Sequence, residues 1–199
     1  MRIIPTLALS LLCLPISAQS VSRMSNLQPE QKAAATAITL NGKLSVQGNS
    51  DFRQLRDLCY QLRTVDLSEA DCPNIPINAF HSRHQLEQVT LPTNVRTIGT
   101  QAFFACTSLK GMTLPASLER VGDGAFSSCS SLKELTIEGS PILGEFAFAR
   151  LSGLRTLRVN ATNPPKACAS TFAGINRKQV KLIVPKGAEL KYRRAEGRS

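Results

Sequence analysis

The sequence contains no tryptophan, two tyrosines and two histidines. A platform of stacked rings for sugars therefore has little material, since such contacts use large aromatic side chains. No C-x-x-C pair occurs, so the spacing that marks structural zinc is missing. The histidines, His81 and His84, stand in the polar stretch HSRHQ (81–85), with no carboxylate or cysteine at a fixed ligand spacing. An open metal site gathers three protein ligands, so this stretch reads as a solvated turn. Serines are abundant, yet no G-x-S-x-G elbow appears, and no glycine-rich phosphate loop. Carboxylate pairs such as Asp66/Glu69 and Glu134/Glu138 are scattered as surface groups would be. The residues thus support neither an enzyme nor a metal, and imply no cofactor. Beyond the N-terminus no long apolar run exists, so the mature chain is expected to have no transmembrane helix.

What is present is a repeat. Between Leu62 and Phe172 one pattern recurs every 22 to 24 residues: LRTVDLSEADCPNIPINAF (62–80), LEQVTLPTNVRTIGTQAF (86–103), LKGMTLPASLERVGDGAF (109–126), LKELTIEGSPILGEFAF (132–148) and LRTLRVNATNPPKACASTF (154–172). Such a period means a solenoid, because each copy cannot bury its apolar side alone. Leu62, Leu86, Leu109, Leu132 and Leu154 open the copies. Val65, Val89, Met112, Leu135 and Leu157 follow, then Leu67, Leu91, Leu114, Ile137 and Val159. The last two columns are two residues apart, so they share one face of a short strand. Pro92 and Pro115 close two of these strands. Strands are expected near 65–67, 89–91, 112–114, 135–137, 157–159 and 182–184, all parallel in one sheet.

The remainder of each copy returns the chain to the next strand. Phe80, Phe103, Phe126, Phe148 and Phe172 form a second apolar column, with Ile75, Ile98, Val121, Leu143 and Ala167 five residues earlier. Stacked turns should place Phe on Phe about 5 Å apart, the spacing of paired strands. Gly99, Gly122 and Gly144 sit where a tight backbone turn is expected.

These columns resemble the BspA-like leucine-rich repeats of bacterial surface antigens, with their pattern I-G-x-x-A-F-x-x-C-x-x-L-x-x-V-x-L-P. IGTQAFFACTSLKGMTLP (98–115) and VGDGAFSSCSSLKELTI (121–137) match it best. The resemblance runs roughly from Ile38 to Glu196. It implies a leucine-rich-repeat-like solenoid with one parallel β-sheet on the concave face, irregular or short-helical return segments and an N-terminal strand–helix cap. It also implies an extracellular binding or adhesion role, without naming a ligand. ITLNGKLSV (38–46) and DFRQLRDLCYQLRTVDLSEA (51–70) look like the opening strand and helix, and VPKGAELKYRRAEG (184–197) like the closing segment.

Arg2, an apolar run from Ile3 to Ile16 and the small residues Ser17 and Ala18 make a secretory signal peptide, with cleavage expected after Ala18. Cys13 raises a lipoprotein alternative, but Leu12 is bulky where a small residue is needed. The expected organisation is a signal peptide (1–18), a partly disordered leader (19–37), an opening strand and capping helix (38–61), the solenoid (62–185) and a basic C-terminal cap (186–199). The mature chain is expected to be secreted or held at the cell surface, as a monomer.

Loss of Cys13 leaves five of six cysteines, so at least one thiol is free or intermolecular. Three residues before each opening leucine stand Cys59, Arg83, Cys106, Cys129 and Leu151. Cys106 and Cys129 on adjacent turns are close enough for a disulfide. The alternative is a pair of small buried hydrophobes, as Leu151 in the same column and the resembled family suggest. Arg83 in an apolar column needs partners or an escape to solvent, so its turn is expected to bulge outward.

Residues 177–199 carry +6 of the formal +10 net charge. Their basic patch, Lys186, Lys191, Arg193 and Arg194, could hold anions or simply solubilise the solenoid's end. Export argues against a genomic nucleic acid. The candidate binding residues are the outward strand positions Asp66, Gln88, Thr90, Thr113, Glu134, Thr136, Thr156 and Arg158, because solenoids commonly bind through an extended rigid face. Glu134 and Arg158 are the expected charged readers unless they form an ion pair with one another. The expected function is recognition of a host or envelope protein or glycan. A structural spacer without a specific ligand is the alternative.

Overall fold

Residues that alternate in and out over three or four positions cannot fill a core by themselves, so successive copies must stack. In a computed structural model, which describes residues 19–47 and 50–196, they stack as parallel rungs. The signal-peptide reading lies outside the described residues. The long strands are β1 (Gln19–Val21), β2 (Ala37–Leu40), β3 (Thr64–Asp66), β5 (Gln88–Thr90), β7 (Gly111–Leu114), β9 (Glu134–Ile137), β11 (Thr156–Val159) and β12 (Lys181–Ile183). Between them run two-residue strands on the return side: β4 (Asn74–Ile75), β6 (Thr97–Ile98), β8 (Arg120–Val121) and β10 (Ile142–Leu143). The helices are α1 (Pro29–Ala34), α2 (Asp51–Leu58) and α3 (Glu189–Glu196).

All strand pairing among the described residues is parallel. The expected single sheet is divided. Strands β1-β2-β3-β5 form one four-stranded sheet and β7-β9-β11-β12 another, while β4-β6-β8-β10 make a third on the return side. The strand face parts between β5 and β7, where Lys110 N–H still reaches the Glu87 carbonyl at 3.1 Å. The parting falls at Gly111, a strand position with no side chain to pack on its neighbours. From Leu67 to Thr171 the return segments hold short strands and turns rather than short helices.

The core follows the columns. Phe80, Phe103, Phe126 and Phe148 are wholly buried, and their rings stack at 5.1, 4.9 and 5.4 Å, with Phe172 a further 5.4 Å on. Phe52 from α2 closes the stack edge-on, at 5.9 Å and 82° to Phe80. Helix α2 presents Phe52 and Leu55 at helical spacing, and its N-cap Ser50 accepts from Arg53 N–H at 3.1 Å.

The turns use left-handed backbone at repeated columns. Asn78, Gln101, Gly124 and Phe146 have φ of 56°, 54°, 61° and 54°, each two residues before a core phenylalanine. Gly99, Gly122 and Gly144 are not in that region; their role is close approach. A Cβ on Gly122 would meet Thr100 N at 2.5 Å.

Residues 19–37 are not frayed. β1 pairs with β2, and Met24 and Leu27 are buried. The anchor is Asp51 at the start of α2, whose carboxylate accepts Met24 N–H at 2.7 Å and Ser45 N–H at 2.8 Å. Those bonds satisfy a buried charge, and the adjoining helix N-terminus favours it. Nor does the turn at Arg83 bulge outward. Its guanidinium donates to the carbonyls of Arg56 (2.7 Å) and Cys59 (2.5 Å), at the C-terminal end of α2, where helix carbonyls lack partners.

Cys106 and Cys129 are free, buried thiols. Each donates to a carbonyl one rung back, Cys106 to Phe80 and Cys129 to Phe103, both at 3.1 Å. Burial pushes the Cys106 thiol up to about 12 and Cys129 well above its ordinary value. Burial likewise raises Cys59 and Cys72 to about 11. Cys168 is exposed, and hydrogen bonds from Ser170 and then Thr171 lower its pKa. The thiolate is the nucleophile, so a small alkylating reagent at neutral pH should label Cys168 in the folded chain, and Cys59, Cys72, Cys106 and Cys129 only after unfolding. Mass spectrometry of the labelled peptides checks this. Labelling of Cys106 as fast as Cys168 would contradict a buried column.

Candidate functional site

Parallel register lines the outward strand residues into rows. One row is Thr64, Gln88, then Gly111, Glu134, Thr156 and Lys181; the other is Thr39, Asp66, Thr90, then Thr113, Thr136 and Arg158. Between the rows the alternate residues Val65, Val89, Met112 and Leu135 point inward and are buried. The face is thus polar outside and committed to packing inside, as its alternation requires.

The parting of β5 from β7 opens a shallow groove of about 600 Å³ across this face. Val89, Leu91 and Met112 form its floor, and Gly111 leaves its centre open: a Cβ there would meet nothing nearer than Glu134 O at 3.8 Å. Five of the eight candidate residues line it, namely Gln88, Thr90, Thr113, Glu134 and Thr136. Asp66, Thr156 and Arg158 share the face but stand outside the groove. The Asp66 carboxylate accepts Ser68 N–H at 2.9 Å. Among the described residues Glu134 and Arg158 form no ion pair with each other, although their register is diagonal.

The groove's charged rim went unread in the sequence. Glu87 is held by Arg63 at 2.6 Å on the preceding rung and by Lys110 on the following one. Its hydrogen bonds, first from Lys110 and then from Arg63, keep its carboxyl below the usual carboxylate range. A signal was present: the residue after each opening leucine is charged in every copy, as Arg63, Glu87, Lys110, Lys133 and Arg155.

The basic patch lies elsewhere, on the C-terminal segment. Lys186, Arg193 and Arg194 are exposed, and Lys191 donates to Asn163 Oδ1 at 2.9 Å. Tyr192 OH donates to the Ala161 carbonyl at 2.8 Å, which docks α3 on the last rungs. His81 stacks on Phe104 with centroids 5.0 Å apart, and Ser82 Oγ lies 2.9 Å from its Nδ1. Among the described residues no helix is long and apolar enough to cross a membrane, and no group of three His, Cys, Asp or Glu could hold a metal ion.

No curated protein matches the chain. Among solved structures, a leucine-rich repeat protein from Bacteroides ovatus ATCC 8483 is similar, with TM-score 0.51 and 21% identity over 87% of this chain. This chain spans only 37% of that protein's length. A leucine-rich repeat protein of T. pallidum aligns over 92% of this chain and 78% of its own, with 17% identity and TM-score 0.42. The model of the BspA type leucine rich repeat region matches six copies across residues 73–184, more than half of the chain. With the parallel rungs and the phenylalanine stack, that match places the chain in the BspA-type leucine-rich-repeat family.

Proposed function

We propose that this chain is an exported, surface-associated binding module that holds a macromolecule on its strand face and performs no catalysis. The observation that carries the reading is the groove between β5 and β7 with its polar rim. Its lining spans four rungs, from Thr64 to Thr136, so a partner lying across it would engage several repeats at once. Its partner is a host or envelope protein or glycan, and the module acts as a monomer. Family membership supports a binding role, and the outward rows are free to serve it because packing has no use for them. A spacer is the second reading, favoured by the uniform threonines at 90, 113 and 136.

The test is affinity capture of the mature chain against matrix proteins, glycans and envelope fractions, followed by Thr113→Arg. Arginine at this exposed rim position should fill the groove, leave the thermal midpoint unchanged and weaken the captured partner by about tenfold or more. Full affinity in Thr113→Arg, with loss on Arg193→Ala/Arg194→Ala, would move the site to α3. Absence of any retained partner would favour the spacer.

A further inference from the structure

The two halves of the strand face differ in charge. On the rungs of β3, β5 and β7, counting the residue before each strand, Arg63 and Lys110 balance Asp66 and Glu87. Both of those cations bind Glu87, so neither is free for a ligand. On the rungs of β9, β11 and β12 the charges are Lys133, Arg155, Arg158 and Lys181 against Glu134 alone. All four cations are exposed, and none forms an ion pair among the described residues.

Their placement is ordered by the ladder. Arg155 N–H bonds the Lys133 carbonyl at 2.9 Å, and Lys181 N–H bonds the Arg155 carbonyl at 2.8 Å. Lys133 and Arg155 therefore follow one another at the start of their strands, one rung apart, and Lys181 stands on the next rung one position further along, in register with Thr156 and Glu134. Arg158 stands on the other side of β11, beside Thr136 in register. With strands about 4.8 Å apart, the four cations span roughly 10 Å along the solenoid axis.

We infer that this half of the strand face binds a linear polyanionic polysaccharide bearing sulfate or carboxylate groups, laid along the axis over Lys133, Arg155, Arg158 and Lys181. The inference rests on the strand face being the binding surface and names the ligand class. Three features point to a glycan over an acidic protein. The outward positions of β9 and β11 are Glu134, Thr136, Thr156 and Arg158, all polar. Protein hot spots centre on buried aromatic anchors, and the chain has no tryptophan and no tyrosine on this face. A hydrated polyanion needs instead a row of fixed cations, with arginine forks for bidentate oxyanion contacts and lysine as a point charge. The hydroxyls of Thr136 and Thr156 between them can bond sugar hydroxyls.

Immobilised heparin serves as the probe, with uncharged dextran as control and soluble polyglutamate as competitor, across a salt series. The wild type should bind heparin and not dextran, with affinity falling as salt rises, since association with a linear polyanion releases condensed counterions. Lys133→Gln/Arg155→Gln/Arg158→Gln/Lys181→Gln should keep its thermal midpoint, bind at least about tenfold more weakly and show a shallower salt dependence. Arg193→Gln/Arg194→Gln should bind as the wild type does. No heparin binding at near-physiological salt would overturn this inference, while Thr113→Arg would still decide the strand-face reading on its own partner. Loss confined to Arg193→Gln/Arg194→Gln would move the anion site to α3. Competition by polyglutamate as strong as by free heparin would replace the polysaccharide with an acidic protein segment.

Discussion

Phe126→Ala is expected to destabilise the fold by about 3–5 kcal/mol, the range for removing a fully buried aromatic side chain. Phe126 is wholly buried, with rings stacked on both sides at 4.9 and 5.4 Å. Its neighbours cannot collapse into the void, because each is held in register by its own rung's backbone bonds. Phe103 and Phe148 would each lose one stacked face, and solenoid stability is roughly a sum over neighbouring interfaces. Hydrogen exchange should therefore quicken most on the rungs of β5, β7 and β9, and least around β1 and β2. Phe146→Ala is the internal comparison: that ring is 49% exposed, so its loss should cost under about 1 kcal/mol. Denaturant unfolding of the two variants measures the contrast. Similar values for both would contradict the assigned column.

Gly122→Ala should also cost more than its single methyl suggests. The new Cβ would lie 2.5 Å from Thr100 N and 2.7 Å from Gly99 C, atoms of the preceding rung's backbone. Backbone has no rotamer by which to step aside, so the rungs must part and weaken the β6–β8 pairing. Overpacking of this kind costs about 1–3 kcal/mol, and the upper end applies where backbone must move. Gly111→Ala is the matched control. Its nearest atom would be Glu134 O at 3.8 Å, so its stability should change by less than about 1 kcal/mol. If Gly122→Ala proved as mild as Gly111→Ala, the close approach of rungs at this column would be wrong.

Much of this fold could be read from a single copy of the repeat. Val89 and Leu91 two apart, Phe103 twelve further on, and six residues to the next leucine already give strand, return and rung. The stacked phenylalanines follow from that spacing, since repetition places identical residues above one another. The cysteine column was legible as far as burial, and Leu151 in the same place pointed to apolar packing. Geometry then supplied the carbonyl that each thiol faces.

Other features depend on residues that no local pattern joins. Arg83 looked misplaced because the carbonyls it serves belong to Arg56 and Cys59, more than twenty residues earlier. The leader looked loose because its tie is Asp51, which reaches back to Met24 N–H. Gly122 looked like a turn because its crowding comes from Thr100, on another rung. The groove is of the same kind, since it arises where β5 and β7 part beside Gly111.

By itself the sequence determined the solenoid, its inward columns and its family, because hydrophobic periodicity and rung length are carried by each copy alone. The tertiary structure decided how closely rungs approach, where the strand face opens, and that Glu87 takes up Arg63 and Lys110 while Lys133, Arg155, Arg158 and Lys181 form no ion pair among the described residues. Those outcomes rest on distances between residues about one repeat apart in the chain, and a few ångströms of register separate an ion pair from a free cation.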